Sequence, residues 1–329
     1  MATTEWIENC LRNVASAKIA IVGDFCLDAY WFIEPDGTEL SVETGLTIGR
    51  VQTQRYAPGG AGNVAANLIS LGVAKVTAIG AIGRDPFGDK LIGLLSELRV
   101  DTSPIYREQA DWQTFVYAKP CIGPTEQNRL DFGAFNKVSA KTANHVIAAL
   151  RKAADAHDVI IVNQQIPNGL CDDSIIVAIN EIASSHPNLK IIVDSRDHAA
   201  KYAGVTLKIN AAEAARLQTG PNGLQEPIAV GKVHELAESI QQKTRRPVFI
   251  TRGERGLMVA DNGRVEDSSI LEFRLPERAL HLLPLGDVFA HSFIADHHAV
   301  LANGANIHGK PYLAAVFAKS LALDVLRGV

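Results

Sequence analysis

Near the C-terminus, Leu285, Gly286 and Asp287 stand directly before a segment with helical periodicity. Gly286 has no Cβ, so a ligand could approach the backbone closely at this point. Free N–H groups at the start of a helix attract anions, and the helix dipole adds to that attraction. A phosphate could rest on these N–H groups while the Asp287 carboxylate takes a proton from an incoming hydroxyl. The same residue types also fit an ordinary helix cap, so the motif is ambiguous by itself.

A second motif combines adjacent glycines with an amide at a predicted helix start. Gly59 and Gly60 come shortly before Asn63. Adjacent glycines let a ligand touch the backbone, and an Asn side chain offers both a hydrogen-bond donor and an acceptor. Tight packing of a turn against a helix would explain the same residues equally well. Asp28 lies a few residues beyond the first predicted strand, where ligands of open α/β sheets collect.

A third motif pairs an amide with a carboxylate three residues later, at Asn210 and Glu213. On the first turn of a helix this spacing puts both side chains on one face. Glu213 could hold a water bound to Mg²⁺, because this ion keeps several waters and uses few carboxylates. An N-terminal cap with its capping-box glutamate fits the same two residues.

The fourth motif contains Thr251, Gly253 and Gly256, at the end of a predicted strand and the opening of a predicted hairpin. Glycines at this place could let an adenine or a ribose lie against the backbone. Turn chemistry alone would also explain them.

Composition limits the classes of function that these motifs could serve. The chain has 329 residues, of which 47% are hydrophobic, so it can bury a sizeable core. A net charge of −4 argues against a general nucleic-acid binder. Four widely scattered cysteines favour reduced thiols in a cytoplasm. No uncharged apolar run reaches the roughly 18 residues that a membrane span needs. We expect no leader sequence and a cytoplasmic protein without a membrane partner.

The elements that must position the motifs alternate between apolar runs and helical periodicities. This alternation predicts a mostly parallel sheet with helices on both faces. Strands are predicted at 18–22, 75–80, 103–106, 114–119, 125–130, 158–162, 189–194, 205–209, 247–251 and 256–260. Helices are predicted at 1–16, 87–98, 139–154, 172–184 and 228–243, from 63 and from 210, and near 287–302 and 310–327. Residues 30–57 are rich in Thr, Val, Ile, Tyr and Gly, and polar and apolar types alternate over 45–51. This predicts strands that project from the main body as a small β lid.

The order and spacing of these motifs resemble those of the ribokinase-like (PfkB) carbohydrate kinases, over residues 18 to 322. Three stretches look most like the heptose-phosphate kinase branch: 22–31, 58–67 and 129–131. The resemblance implies a three-layer α/β sandwich formed as one domain by residues 1–329. It also implies a β lid, often a dimerisation element, contributed by about 30–57 and part of 103–130.

The resemblance implies a phosphotransferase that uses ATP and Mg²⁺ to phosphorylate a sugar or sugar phosphate. The resemblance assigns a role to each motif. The residues that would bind the sugar hydroxyls are Asp28, Gly59, Gly60 and Asn63, with Arg129 and Asp131 as further candidates. Asn210 and Glu213 would organise Mg²⁺ and phosphate, with the ion held by Glu213 through water. Thr251, Gly253 and Gly256 would border the nucleotide. Asp287 would deprotonate the acceptor, and the N–H groups of 285–287 would steady the transferred phosphoryl group.

Some residues depart from the family pattern. Pro284 stands where a flexible glycine is expected, and proline has no N–H to donate. The loss of one such donor would cost on the order of 10²–10³ in rate, although later N–H groups remain. His281 and Leu283 replace the residues expected to bind a monovalent cation, so no potassium site is predicted. Residues 163–165 are Asn-Gln-Gln where the heptose kinases tend to carry Ser-Asp-Tyr, which leaves the acceptor sugar open.

Two other functions remain open on the sequence. A binding or regulatory protein could keep the kinase fold without efficient transfer, as Pro284 and the missing cation ligands suggest. A kinase of the same fold could act on a nucleoside or a vitamin-like alcohol, although Asp28 and Asn63 suit a sugar better.

Overall fold

The computed structural model describes residues 13–34, 39–108, 112–220 and 228–268. Two sheets and the helices around them make up this part of the chain. The strands are β1 Lys18–Gly23, β2 Phe25–Ile33, β3 Val51–Gly60, β4 Lys75–Gly83, β5 Ile105–Glu108, β6 Phe115–Ile122, β7 Thr125–Glu126, β8 Leu130–Phe132, β9 Val159–Gln164, β10 Lys190–Ser195, β11 Thr206–Asn210, β12 Val248–Thr251, β13 Leu257–Asp261 and β14 Arg264–Ser268. The helices are α1 Ala61–Ser70, α2 Pro86–Glu97, α3 Ala140–Ala156, α4 Asp173–Ser185, α5 Ala211–Thr219 and α6 Val230–Thr244.

The central sheet has nine strands in the order β14-β13-β12-β11-β10-β9-β1-β4-β5. From β12 to β5 the neighbouring strands are parallel, and β13 and β14 add an antiparallel hairpin edge. β1 and β9 are continuous apolar runs because helices cover both faces of a parallel sheet. The predicted mostly parallel sheet is therefore confirmed.

Two large hydrophobic clusters form most of the core, one on each face of the central sheet, and a small third cluster joins Phe249, Leu257 and Val259. On one face α3, α4, α5 and α6 pack against side chains such as Val162 and Ile209. On the other face α1 and α2 pack against side chains such as Ile21 and Ile161. Alternate residues of one strand point to opposite faces, which is why Ile21 and its neighbour Val22 belong to different clusters.

A second sheet of five strands begins directly after β1. Its order is β3-β2-β6-β7, and β8 also pairs with β6. Its apolar face, including Leu27 and Val116, joins the cluster around α1 and α2. β5, from the predicted 103–106, instead extends the central sheet through β4.

The alternating stretch 45–51 differs from the prediction. It contains one isolated bridge, between Leu40 and Thr47, before β3 begins at Val51. Leu46 is 70% exposed, so the alternation has no buried face to pack. Of the predicted N-terminal helix, residues 13–16 are helical and 1–12 lie outside the described residues.

Candidate active site

The carboxyl ends of the parallel strands bring the polar motifs to one edge of the central sheet. Gly23 of β1 pairs with Asn163 of β9, which pairs with Asp194 of β10. Further along the same edge, Asn210 of β11 pairs with Thr251 of β12. In open α/β sheets, ligands collect in the crevice beyond this edge.

Asp24, immediately after β1, is fully buried and anchors a neighbouring loop. Its carboxylate accepts hydrogen bonds from the N–H groups of Gln165 at 2.8 Å, Ile166 at 2.9 Å and Leu170 at 2.7 Å. Burial raises the pKa of Asp24, and these N–H groups oppose the rise. A Cβ on Gly169 would lie 2.3 Å from Asp24 Oδ1, so this loop closes tightly around the carboxylate. Asp24 therefore holds the backbone of the loop that follows β9 at this edge of the sheet.

Asp28, on β2, forms a buried ion pair with Lys119 of β6. Lys119 Nζ lies 2.8 Å from Asp28 Oδ1 and donates to the hydroxyl of Tyr30 at 3.1 Å. Burial disfavours the lysine's charged form, but Asp28 and Tyr30 outweigh it and the pKa of Lys119 is raised. Lys119 was not singled out from the sequence. The sequence shows only that Lys119 is a charged residue on a predicted strand. Its partner Asp28 can be identified only once the pairing of β2 with β6 is known.

Arg129 and Asp131 form a bidentate ion pair on the same face of the second sheet. Arg129 Nε lies 2.6 Å from Asp131 Oδ1, and Nη2 lies 2.8 Å from Oδ2. The guanidinium also stacks 4.3 Å from the ring centroid of Tyr117. Tyr117 pairs with both Asp28 and Asp131 across the strands, so the three side chains share one face. The structure therefore brings these predicted residues together.

Gly59 and Gly60 end β3 beside the same acidic residues. A Cβ on Gly59 would lie 3.0 Å from Asp28 Oδ2, and one on Gly60 would lie 2.3 Å from the Asp24 carbonyl oxygen. Gly60 also has a φ of 53°, which favours glycine. Close packing explains Gly60 without a ligand. Asn63, in the first turn of α1, is half-buried and makes no side-chain hydrogen bond within the described ranges.

Asn210 and Glu213 form a complete capping box at the start of α5. Asn210 Oδ1 accepts from the N–H of Glu213, and Glu213 Oε2 accepts from the N–H of Asn210, both at 2.8 Å. Burial raises the pKa of Glu213, as does nearby Asp194, while the Asn210 N–H lowers it. Asp194 is itself paired with Lys208, with Nζ 2.8 Å from Oδ2. Glu213 Oε1 makes no hydrogen bond to the described residues, so this atom could still hold a metal-bound water.

Thr251 ends β12, and Gly253 and Gly256 bound the 3-10 turn that follows. Gly253 has a φ of 61° and Gly256 a φ of 98°, so both occupy backbone conformations that favour glycine. A Cβ on Gly253 would meet nothing within 4 Å, which leaves this side of the turn open. Arg252, which was not predicted, is buried and paired with Asp267 of β14. This pair joins the turn to the hairpin edge.

The Asn-Gln-Gln stretch contributes buried amides. Asn163 is 2% exposed, and its Oδ1 has no hydrogen-bond partner among the described residues. Gln164 Oε1 accepts from Ser195 Oγ at 2.7 Å and from the N–H of Asp197 at 3.1 Å. Its Nε2 donates to the Ile166 carbonyl at 3.0 Å. Gln164 is therefore occupied in joining two loops of the edge, whereas Asn163 Oδ1 is available.

Other predicted residues lie outside the described residues. These are Leu285, Gly286 and Asp287, with His281, Leu283 and Pro284. Among residues 13–34, 39–108, 112–220 and 228–268, no group of three or more His, Cys, Asp or Glu is placed to hold a metal ion directly. A site that holds Mg²⁺ through water needs no such group.

Cavities in the described part of the chain include two at the opposite edge. They have volumes of about 210 Å³ and about 330 Å³ and share Gly204 and Arg246 in their lining. The first includes Lys190 and Thr206, where β10 and β11 begin. They are therefore separate from the predicted site. No helix in the described ranges is long and apolar enough to cross a membrane.

Comparison with known proteins identifies the family. The model of the pfkB family carbohydrate kinases matches residues 16–273, and the chain belongs to this family. It is thus a sugar kinase by class. It is 30% identical to the D-beta-D-heptose 7-phosphate kinase of Bordetella bronchiseptica over 264 residues, which cover 77% of each chain. It is 28% identical to the bifunctional protein HldE of Trichlorobacter lovleyi, covering 76% of this chain and 50% of that one.

A solved structure confirms the predicted ribokinase-like fold. Phosphofructokinase-2 from Escherichia coli, in complex with substrates and products, superposes with a TM-score of 0.61. The match covers 94% of this chain and 97% of the other, at 15% sequence identity.

Proposed function

We propose that the protein transfers the γ-phosphate of ATP to a hydroxyl of a sugar phosphate, with Asp287 as the base. The distribution of polar groups along one edge of the central sheet supports this most strongly. Asp28 and Lys119 lie beyond β1, whereas Asn210 and Thr251 end β11 and β12. With strands roughly 4.8 Å apart, β1 and β11 are separated by about 14 Å. If the acceptor binds at the first place and ATP at the second, the phosphates of ATP would lie between the two sites.

The acceptor would lie against the polar face of the second sheet. Asp28, Gly59, Gly60 and Asn63 would contact its hydroxyls, with Arg129 and Asp131 further out. Asn63 suits this role because its side chain is half-buried and its amide is uncommitted within the described ranges. Asp28 can still accept from a hydroxyl, since a carboxylate has about four lone-pair sites.

Arg129 has several N–H donors and its side chain is 45% exposed on this face, so the phosphate of an anionic acceptor would share the guanidinium with Asp131. The similarity to a heptose 7-phosphate kinase favours a heptose phosphate among such acceptors. The two ion pairs on the second sheet differ in how far their side chains are exposed to solvent. The side chains of Lys119 and Asp28 are 12% and 8% exposed, and those of Arg129 and Asp131 are 45% and 39% exposed. The acceptor's phosphate would therefore sit at the outer pair and its reacting hydroxyl would point inwards.

The nucleotide would lie along β11 and β12, bordered by Thr251, Gly253 and Gly256. The open side of Gly253 suits a ring placed against the backbone. Asn210 and Glu213 would organise Mg²⁺ and phosphate, with Glu213 Oε1 holding a water of the ion. Bound Mg²⁺ supplies charge neutralisation for the phosphates.

In the transfer itself, the acceptor oxygen forms a bond to the γ-phosphorus as the bond to the β-phosphate oxygen breaks. The hydroxyl proton passes to the Asp287 carboxylate, and the leaving electron pair stays with ADP. The N–H groups of Leu285, Gly286 and Asp287 would stabilise the charge on the moving phosphoryl group. Pro284 removes one further donor, so we propose a reduced rate rather than none.

A screen for ADP release tests this function. Heptose, hexose and pentose phosphates are compared with free sugars and nucleosides, at saturating ATP and Mg²⁺. Asp287→Asn should lower kcat by about 10²–10⁴, the usual contribution of a general base. Asp155→Asn, an exposed change at the C-terminal end of α3, serves as the control. Equal turnover by Asp287→Asn and wild type would refute the mechanism, and a preference for nucleosides would refute the acceptor class.

A second candidate function is a sugar- or nucleotide-binding regulatory protein, which Pro284 favours. Calorimetry would then show saturable binding of a sugar phosphate or ATP, while the same screen shows no ADP release. Steady-state turnover with any sugar phosphate eliminates this alternative.

We also propose that turnover needs no monovalent cation, because His281 and Leu283 replace the expected ligands. Exchange of KCl for choline chloride should leave kcat unchanged, and activation by K⁺ would contradict this.

We propose that residues 1–329 act as one kinase domain and that two copies pair through the second sheet as a lid. Large apolar side chains are exposed on this sheet and its connections: Leu40, Val42, Leu46, Ile48, Val51, Ile122, Leu130 and Phe135. Light scattering should give twice the monomer mass, and Leu46→Lys with Leu130→Lys should give the monomer. Val177→Lys, an exposed change on α4, should leave the dimer intact. A wild-type monomer at assay concentration would contradict the pairing.

We propose a cytoplasmic location. Cys26, Cys121 and Cys171 are free and buried, which suits a reducing compartment. Cell fractionation should recover the protein in the cytoplasmic fraction, and recovery from a membrane or an oxidising compartment would contradict this.

A further inference from the structure

Arg196 directly follows β10, at the centre of the carboxyl edge. On one side β9 and β1 lead to Asp28, and on the other side β11 leads to Asn210. Phosphates of a nucleotide bound at β11 and β12 would reach an acceptor bound beyond β1 by passing the end of β10. Arg196 is therefore placed between the two predicted half-sites.

The backbone of Arg196 is held on both sides by Gln164. The Arg196 N–H donates to the Gln164 carbonyl at 3.0 Å, which extends the β9–β10 ladder by one step. The Gln164 side chain accepts from Ser195 Oγ at 2.7 Å and from the Asp197 N–H at 3.1 Å. Ser195 Oγ also accepts from the N–H of His198 at 3.0 Å. These bonds hold the backbone of residues 195–198 in place at the end of β10.

Several neighbouring cations are already neutralised. Lys208 is paired with Asp194, Lys119 with Asp28, and Arg252 with Asp267. The Arg196 side chain is exposed and forms neither an ion pair nor a hydrogen bond within the described ranges. Asn163 Oδ1, buried on the adjacent strand, also lacks a partner there. An uncommitted cation and an uncommitted buried amide oxygen therefore lie at the carboxyl ends of two adjacent strands, where a polar ligand could be bound.

We infer that Arg196 is a catalytic residue that donates hydrogen bonds to oxygens of the transferred phosphoryl group. This inference rests on the proposed kinase function. Arg196 forms no covalent bond during the transfer described above. Its guanidinium would contact the γ-phosphate of bound ATP and strengthen that contact as charge spreads over the equatorial oxygens. A planar guanidinium can make two parallel bonds to such a group, which a lysine cannot reproduce.

Arg196→Gln tests the inference, together with Arg196→Lys and Arg84→Gln. Arg84 is the matched control because it is exposed and follows β4 at the same edge, about 14 Å further along at the usual strand spacing. We expect Arg196→Gln to lower kcat by about 10²–10³, with KM for ATP and acceptor changed less than about threefold. Arg196→Lys should recover part of kcat, since it keeps the charge. Arg84→Gln should stay within about threefold of wild type.

Gln164→Ala separates positioning from catalysis. Its loss should lower kcat through Arg196, so adding Gln164→Ala to Arg196→Gln should cause little further loss. Circular dichroism and calorimetric affinity for ATP establish that each variant is folded and binds nucleotide.

The outcomes distinguish this inference from the proposed function. If wild type turns over and Arg196→Gln keeps its kcat, the role of Arg196 is refuted and the kinase function stands. Equal losses in Arg196→Gln and Arg84→Gln also refute it, because the effect would then be one of general charge. If wild type releases no ADP with any acceptor, the proposed function and this inference fall together.

Discussion

The buried ion pair between Lys119 and Asp28 offers a sharp test of how the second sheet holds the acceptor face. The partners come from strands 91 residues apart in sequence, yet Nζ and Oδ1 are 2.8 Å apart. Their side chains are only 12% and 8% exposed, so solvent screens the pair weakly. Replacement of Lys119 by Met keeps the aliphatic stem and removes the charge. It also removes the donor to the Tyr30 hydroxyl.

Breaking a buried ion pair by removing one partner typically costs about 3–5 kcal/mol. Because both side chains are largely buried, we expect Lys119→Met to lower the unfolding free energy by an amount in this range. Urea unfolding at pH 7 measures this. The double variant with Asp28→Asn should be more stable than the sum of the single effects, with a coupling of about 1–3 kcal/mol.

The pH dependence provides an independent check. The folded pKa of Lys119 lies above its unfolded value, so the pair contributes fully below the unfolded pKa of about 10.4. This contribution is lost as the pH rises through the folded pKa. Wild type should therefore lose more stability above pH ~10.4 than Lys119→Met does. A Lys119→Met variant within about 0.5 kcal/mol of wild type, with no coupling to Asp28, would refute the reasoning.

Two other substitutions test the glycine pair and the metal assignment. Gly60→Ala should be strongly destabilising, by about 3 kcal/mol or more, because its Cβ would lie 2.3 Å from the Asp24 carbonyl and its φ is 53°. Gly45→Ala is the control for φ alone, at 69° with nothing within 4 Å, and should cost only about 1–2 kcal/mol in urea unfolding. Equal costs would contradict the steric explanation. Glu213→Gln keeps an acceptor for the capping box, so stability should change by less than about 1 kcal/mol. The Mg²⁺ concentration needed for half-maximal ADP release should rise severalfold, and an unchanged Mg²⁺ dependence would rule out Glu213 at the ion.

Some features of this protein follow from residue patterns alone. Continuous apolar runs such as β1 and β9 predict buried parallel strands, because both faces of such a sheet are covered. The capping box of Asn210 and Glu213 is equally local, since its bonds join residues three positions apart. The order of the motifs indicated the kinase family, and the match over residues 16–273 bears this out.

Tertiary pairing decided what local patterns left open. Alternation over 45–51 predicted a strand, but a strand pattern persists only where one face finds something to pack against. Lys119 lies next to the Asp28 carboxylate because β2 and β6 pair in a parallel register. Arg196 lies near the centre of the carboxyl edge because β10 lies between β9 and β11. The spacing of apolar residues along the sequence identifies a strand, but it does not identify which strand pairs with it in the sheet. Contacts between distant segments depend on which strands pair, so their polar partners emerge only when the sheets have formed.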